Sequence, residues 1–228
     1  MIRTILFDLD GTLADTEPIH FAAFSELLRP EGIELSREEY FSRLIGFNDH
    51  DCFATVLGEN GKDASEAHVA MLIERKAANY QAMIRDRDVM YPGAIDFTRQ
   101  CAARFPLMLV TGTLRTEAEM ILRRAKLREL FVDIIAAEDV EHGKPAPDGF
   151  IAALGRLGFL LRLRPPIESS QALVIEDTAA GIEAARRAGM RALALKHTAP
   201  ESDLAGADLI RNSIGEIDLD DILRRLSR

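Results

Sequence analysis

The chain has 228 residues, 47% of them hydrophobic and 29% charged, which describes an ordinary globular protein with enough material for one large domain or two modest ones. Its formal net charge of −9, with no tryptophan and no long basic run, argues against nucleic acid or an anionic membrane as a main partner. The first strand begins at once, leaving no room for a signal peptide, and no apolar stretch approaches ~20 residues, so a cytoplasmic protein is expected.

In chain order, the first element is the apolar run Ile5-Leu6-Phe7, read as a fully buried strand. It delivers Asp8-Leu9-Asp10-Gly11-Thr12, with two carboxylates at i and i+2 on one face of the strand. Acids held that close are costly unless a cation or a shared proton relieves them. From Glu17 to Tyr91 the pattern turns helical, over residues 20–28, 37–44 and 64–83, punctuated by Gly32, Gly46, Gly58 and Gly61. A connection of ~90 residues between strands is far outside the usual handful, so residues 16–90 are expected to form an inserted all-helical domain. Residues 1–15 and 91–228 would form the core domain, and an inserted helical module near a sheet edge has the arrangement of a lid.

Beyond the insertion, Leu107-Met108-Leu109-Val110 closes on Thr111-Gly112-Thr113, and Ile134-Ile135-Ala136-Ala137 follows. After a loop at 162–166, Ala172-Leu173-Val174-Ile175 closes on Glu176-Asp177, and weaker runs occupy 192–195 and 208–210. Strands alternating with helices predict an α/β fold, a doubly wound parallel sheet covered on both faces. Ligands of such sheets bind beyond the carboxyl ends of the strands. Three runs end there in polar residues: Asp8 and Asp10, Thr111 and Thr113, Glu176 and Asp177. Cys52 and Cys101, far apart and without metal-ligand spacing, read as two reduced thiols in or near the core.

An oxygen-rich acidic cluster suits Mg²⁺, with Asp8 and Asp177 each offering an oxygen, the Asp10 carbonyl another, and Glu176 joining them or supporting the water shell. Phosphate is the natural companion of that ion. Thr111 and Gly112 precede a helix starting near Arg115, where free N–H groups favour anions, and Gly11 admits close backbone approach. Lys144, stiffened by Pro145, is able to neutralise both a nucleophile and a transferring phosphoryl group. Each piece has a blander reading alone: a polar turn after a strand, a helix cap at Glu176-Asp177, a solvated loop lysine.

Taken in order, Asp8-x-Asp10-Gly11-Thr12, Thr111, Lys144 and Glu176-Asp177 resemble the four motifs of the haloacid dehalogenase-like superfamily. Asp15-Thr16-Glu17, Tyr91-Pro92-Gly93, Gly143-Lys144-Pro145-Ala146-Pro147-Asp148 and Glu176-Asp177-Thr178-x-x-Gly181 extend the likeness over essentially the whole chain. The helical insertion resembles the branch that includes phosphoglycolate phosphatase and β-phosphoglucomutase. The resemblance implies that Asp8 is a nucleophile forming an aspartyl phosphate and that Asp10 is the proton carrier. It further implies that Thr111 and Lys144 bind the phosphoryl oxygens, and that Asp8, Asp10, Asp177 and Glu176 serve Mg²⁺. A small phosphate monoester, such as a sugar phosphate, would contact Gly11 and Gly112 and, in the cap, Thr16, His20 and Lys76. Mutases of that branch carry a base in the cap loop where Gly46-Phe47-Asn48-Asp49-His50 carries an acid, so hydrolysis by a monomer or weak dimer ranks above phosphomutase chemistry. A phospho-accepting signalling module, usually half as long and without the insertion, ranks last.

Overall fold

A computed structural model describes residues 1–226 and divides into two compact units, residues 16–89 and residues 1–15 with the described residues from Met90 onward. The larger unit holds one six-stranded sheet of order β3-β2-β1-β4-β5-β6. Its strands are β1 (Thr4–Phe7), β2 (Leu107–Val110), β3 (Phe131–Ile135), β4 (Ala172–Glu176), β5 (Arg191–Leu195) and β6 (Leu209–Arg211). Every pairing is parallel. β1, β2 and β4 are buried at every position, which is why they read as unbroken apolar runs.

The helices are α1 (Glu17–Leu28), α2 (Arg37–Glu39), α3 (Asp49–Glu59) and α4 (Glu66–Ile84) in the smaller unit, then α5 (Ala94–Ala102), α6 (Arg115–Arg124), α7 (Asp148–Leu160), α8 (Ala179–Arg187) and α9 (Leu219–Leu226) in the larger. The sheet is covered on both faces. Leu6, Met108 and Val174 pack on one side in a cluster with Phe150, Leu157 and Ile182. Phe7 meets Phe97 and Phe131 edge-to-face, with centroids 6.2 and 6.0 Å apart. This is the doubly wound α/β architecture expected.

Several boundaries move by a few residues from the sequence reading, and two differences bear on the chemistry. β3 begins at Phe131, earlier than its Ile134-Ile135 run, because Asp133 interrupts the apolar pattern. That acid is held by Arg156 at 3.0 Å and Arg115 at 3.5 Å, so the charge costs the strand little. The segment around Asp49 is not a loop. Asn48 accepts the Asp51 N–H at 2.8 Å and caps α3, placing Asp49 in the first helical turn, where an acid suits the dipole.

The helical unit has its own core, in which Phe24, Leu27, Leu28, Tyr40, Phe53, Leu57, Val69 and Leu72 pack together. Both cysteines are free and buried. Burial, with the nearby Asp49 carboxylate, raises the Cys52 thiol far above its ordinary range, and burial pushes Cys101 up to about 12. Among the described residues no helix is long and apolar enough to cross a membrane.

Candidate active site

The carboxyl edge of β1, β2 and β4 gathers the chemistry. Asp8 is the first residue past β1, and its N–H donates to Ile175 of β4 at 3.0 Å, so the sheet ladder itself fixes its position. Its carboxylate accepts from Lys144 Nζ at 2.5 Å, and the same ammonium donates to Glu176 Oε1 at 2.5 Å. The other Glu176 oxygen closes the turn into α8, accepting from the Asp177 and Thr178 N–H groups at 2.8 Å each and the Thr178 hydroxyl at 2.9 Å. Gly181 sits against this carboxylate so tightly that a Cβ there would overlap it.

Asp177 lies wholly buried between two hydroxyls. Thr12 donates to Oδ1 at 2.6 Å, and Thr198 donates to Oδ2. Carboxylate oxygens of Asp8, Glu176 and Asp177 lie within 4.8 Å of one another, a spacing that one cation spans. The cluster holds more negative charge than Lys144 cancels. Burial, with Glu176 and Asp10 nearby, raises the Asp8 carboxyl well above the usual range against the pull of Lys144. Asp177 is raised for the same reason, by burial and by Glu176 and Asp8, against its two hydroxyl donors. Burial disfavours the Lys144 charge, yet Asp8 and Glu176 outweigh it and hold the ammonium protonated above its ordinary value.

Asp10 stands apart from this knot. It follows the strand end rather than continuing the strand, so the i, i+2 rule does not govern it. Its Oδ2 accepts from Thr111 Oγ1 at 3.2 Å, which ties the first polar turn to the end of β2. Thr111 Oγ1 also accepts the Thr113 N–H at 3.1 Å, while Thr113 donates to the buried Glu117 at 2.6 Å. Gly11 adopts φ +79°, where a Cβ would collide with the Asp177 carboxylate. Gly112 lies in the turn between Thr111 and Thr113, before α6.

Asp8, Asp10, Thr111, Lys144, Glu176 and Asp177 are thus drawn to one sheet edge. Thr16, His20 and Lys76 belong to the helical unit, where Thr16 precedes α1. Lys76 is fully buried there: its Nζ bonds Asp49 Oδ1 at 2.5 Å and His20 Nδ1 at 2.8 Å, and lies 4.6 Å from the Phe24 ring centroid. His20 stacks on Tyr80 with centroids 4.3 Å apart. Three residues that sequence reasoning left without a role stand at the sheet site: Thr12, Thr198 and His197. Thr12 carried a signal, being part of the first motif. Thr198 and His197 follow β5 in an ordinary-looking stretch and carried none.

The family model described as haloacid dehalogenase-like hydrolase matches residues 2–189. The fructose-1-phosphate phosphatase of Escherichia coli (strain K12) is 30% identical over 189 residues, covering 83% of this chain and 94% of that protein. The validoxylamine A 7'-phosphate phosphatase of Streptomyces hygroscopicus subsp. limoneus is 31% identical over 226 residues, covering 95% and 96%. Among solved structures, the β-phosphoglucomutase of Clostridium difficile superposes with a TM-score of 0.88 over 100% of this chain and 98% of that one; at 22% identity it speaks to the fold alone.

Proposed function

This chain belongs to the haloacid dehalogenase-like hydrolases, and from that premise we propose that it hydrolyses a small phosphate monoester, of the sugar-phosphate kind, with Asp8 as nucleophile and Mg²⁺ as cofactor. The observation that carries the reading is the excess of buried carboxylate around one lysine at the carboxyl edge of β1 and β4. The donor set fits Mg²⁺: hard oxygen ligands, charge left over after Lys144, and two carboxyls raised by burial and by one another's charge. Asp8 and Asp177, with the Asp10 carbonyl, would hold the ion, and Glu176 would orient the ligands around it. When bound, the ion supplies charge that lets an anionic nucleophile approach an anionic ester.

The chain's own residues then divide the work. Asp8 attacks phosphorus, forming an acyl-phosphate bond as the ester oxygen departs. Asp10 gives that oxygen its proton and afterwards takes one from the water that splits the acyl phosphate. Lys144, already against Asp8, neutralises the phosphoryl oxygens, while Thr111 steadies Asp10 and offers its hydroxyl to the same group. Gly11 and Gly112 keep the backbone low at the phosphoryl position. Of the residues expected in the cap, Thr16 and His20 stay as proposed contacts for the hydroxyl end of the substrate, while Lys76, fully buried against Asp49 and His20, braces the helical unit instead. Asp49 already neutralises Lys76 inside the helical unit, which favours a monophosphate over a bisphosphate and hydrolysis over phosphomutase chemistry.

The test is inorganic phosphate release from a panel of sugar phosphates, phosphoglycolate and nucleoside monophosphates. Activity is expected on some of them, abolished by EDTA, restored by Mg²⁺ and absent in Asp8→Asn. Full activity in excess EDTA overturns the cofactor, and full activity in Asp8→Asn overturns the nucleophile. With β-glucose 1-phosphate and its bisphosphate, conversion to the 6-phosphate without net phosphate release would establish the mutase reading instead.

A further inference from the structure

His197 occupies the segment after β5 and touches only backbone polar groups through its ring nitrogens. Nδ1 lies 2.8 Å from the carbonyl oxygen of Gly11, and the N–H of Ile214 points at Nε2 at 3.3 Å. A carbonyl only accepts and an amide N–H only donates, so both ring roles are fixed. Nδ1 carries the proton and gives it to Gly11, and Nε2 is bare and accepts from Ile214. The ring is stacked on Tyr91, with centroids 4.0 Å apart and planes 29° from parallel. Tyr91 in turn donates its N–H to Leu13 O at 3.0 Å.

The grip falls on a sensitive spot. The Gly11 carbonyl belongs to the Gly11–Thr12 peptide, one residue beyond Asp10, and the Gly11 N–H, on the Asp10 side, donates to Ala14 O at 2.8 Å, so the turn is held on both sides of Gly11 where Asp10 leaves the chain. The hydroxyl of Thr198, the neighbour of His197, lies against two acceptors of Asp177, its Oδ2 and its backbone carbonyl oxygen. A Cβ on Gly11 would come within 2.8 Å of Thr198 Cγ2. One short segment therefore braces the first motif with its imidazole and the fourth with its hydroxyl.

We propose that His197 is a positioning residue: as the neutral Nδ1–H tautomer it holds the Asp10–Gly11 turn in register with Asp177. The proposal rests on the reading of Asp10 as proton carrier. A group that only sets the direction of a proton carrier acts on turnover and leaves substrate affinity alone, and misplacement by about 1 Å costs on the order of 10²-fold. His197→Phe keeps the stack on Tyr91 and removes both hydrogen bonds, whereas His197→Asn places an amide N–H near where Nδ1 stood.

The experiment measures kcat and KM for wild type, His197→Phe and His197→Asn on the best substrate of the panel, with the ¹⁵N spectrum of the wild-type imidazole recorded alongside. A roughly 10- to 100-fold fall in kcat is expected for His197→Phe, with KM within about twofold and most of the loss recovered in His197→Asn. Wild-type turnover in His197→Phe, an equal loss in both variants, or a loss carried by KM overturns the proposal. Should His197→Phe fail to fold, His197→Asn decides: retained kcat supports the role and a full loss overturns it. An Nε2–H tautomer in the spectrum overturns it without reference to activity, so it is told apart from a failure of the phosphatase reading, which shows as no phosphate release by the wild type.

Discussion

Each unit of this protein buries one lysine against a carboxylate at 2.5 Å, and the two arrangements differ in what surrounds the pair. In the helical unit, Lys76 faces the Asp49 carboxylate, the imidazole of His20 and the faces of Phe24 and Tyr80. At the sheet edge, Lys144 faces Asp8 and Glu176, with Asp177 beside them. In the first set one ammonium meets one carboxylate directly. The second gathers more carboxylate than Lys144 cancels; burial, and after it the neighbouring carboxylates, raises Asp8 and Asp177, and a cation would relieve both. A buried ion pair by itself is weak evidence of function. The convergence of three carboxylates at a spacing one cation spans is what distinguishes the sheet edge.

Breaking each pair from the lysine side sharpens the contrast. Lys144→Met is expected to lower kcat by about 10²-fold or more, because the phosphoryl group loses its closest protein cation. An unchanged rate would mean that the surplus charge has no catalytic meaning. Asp177→Asn acts on the same site from the other side and should raise the Mg²⁺ concentration for half-activation by at least about tenfold. An unchanged Mg²⁺ titration in that variant removes Asp177 from the metal site.

In the helical unit the consequence is mainly structural. Lys76→Met strands Asp49 in the interior, where its Oδ2 already lacks a hydrogen-bond partner, and should cost about 3–5 kcal/mol of stability in a denaturant melt. Lys76→Met combined with Asp49→Leu should recover most of it. A double variant no more stable than the single one would show that the pair is not self-contained.

A smaller effect concerns pH. Burial lowers the pKa of His197, against Gly11 O and the Asp15 carboxylate, which pull upward, while Tyr91 stacks on the ring. The folded state therefore binds its proton less readily than the unfolded chain. The contribution to stability is complete above the unfolded value of ~6.5 and is lost as pH falls through the lower folded value. The denaturation midpoint should decline over that window in the wild type and less steeply in His197→Phe. Equal slopes would remove the titration from His197.

Most of the fold was legible because parallel strands buried on both faces are continuous apolar runs, and β1, β2 and β4 are of that kind. β3 was misplaced where a paired acid, Asp133, broke the run. The acids of the candidate site were readable from their positions after strands, since a parallel sheet brings those ends together, and Lys144 from its Pro-stiffened loop before a helix. Their partners were less so. Thr198 and His197 act through spatial neighbours 21 and 186 residues away, and no local pattern encodes such a contact. The buried Lys76–Asp49 pair was hidden for a related reason: a lysine on a helix looks solvated until the acid that meets it is placed.

The central claim is that Asp8 carries the phosphoryl group between two steps. Rapid acid quench of the Mg²⁺-loaded enzyme during turnover, followed by proteolysis and mass analysis, reads this directly. One added phosphoryl group on the peptide containing Asp8, absent in Asp8→Asn and absent without substrate, is the predicted result. Steady turnover with no such adduct in a slowed Asp10→Asn variant, or an adduct on any other peptide, would contradict the account.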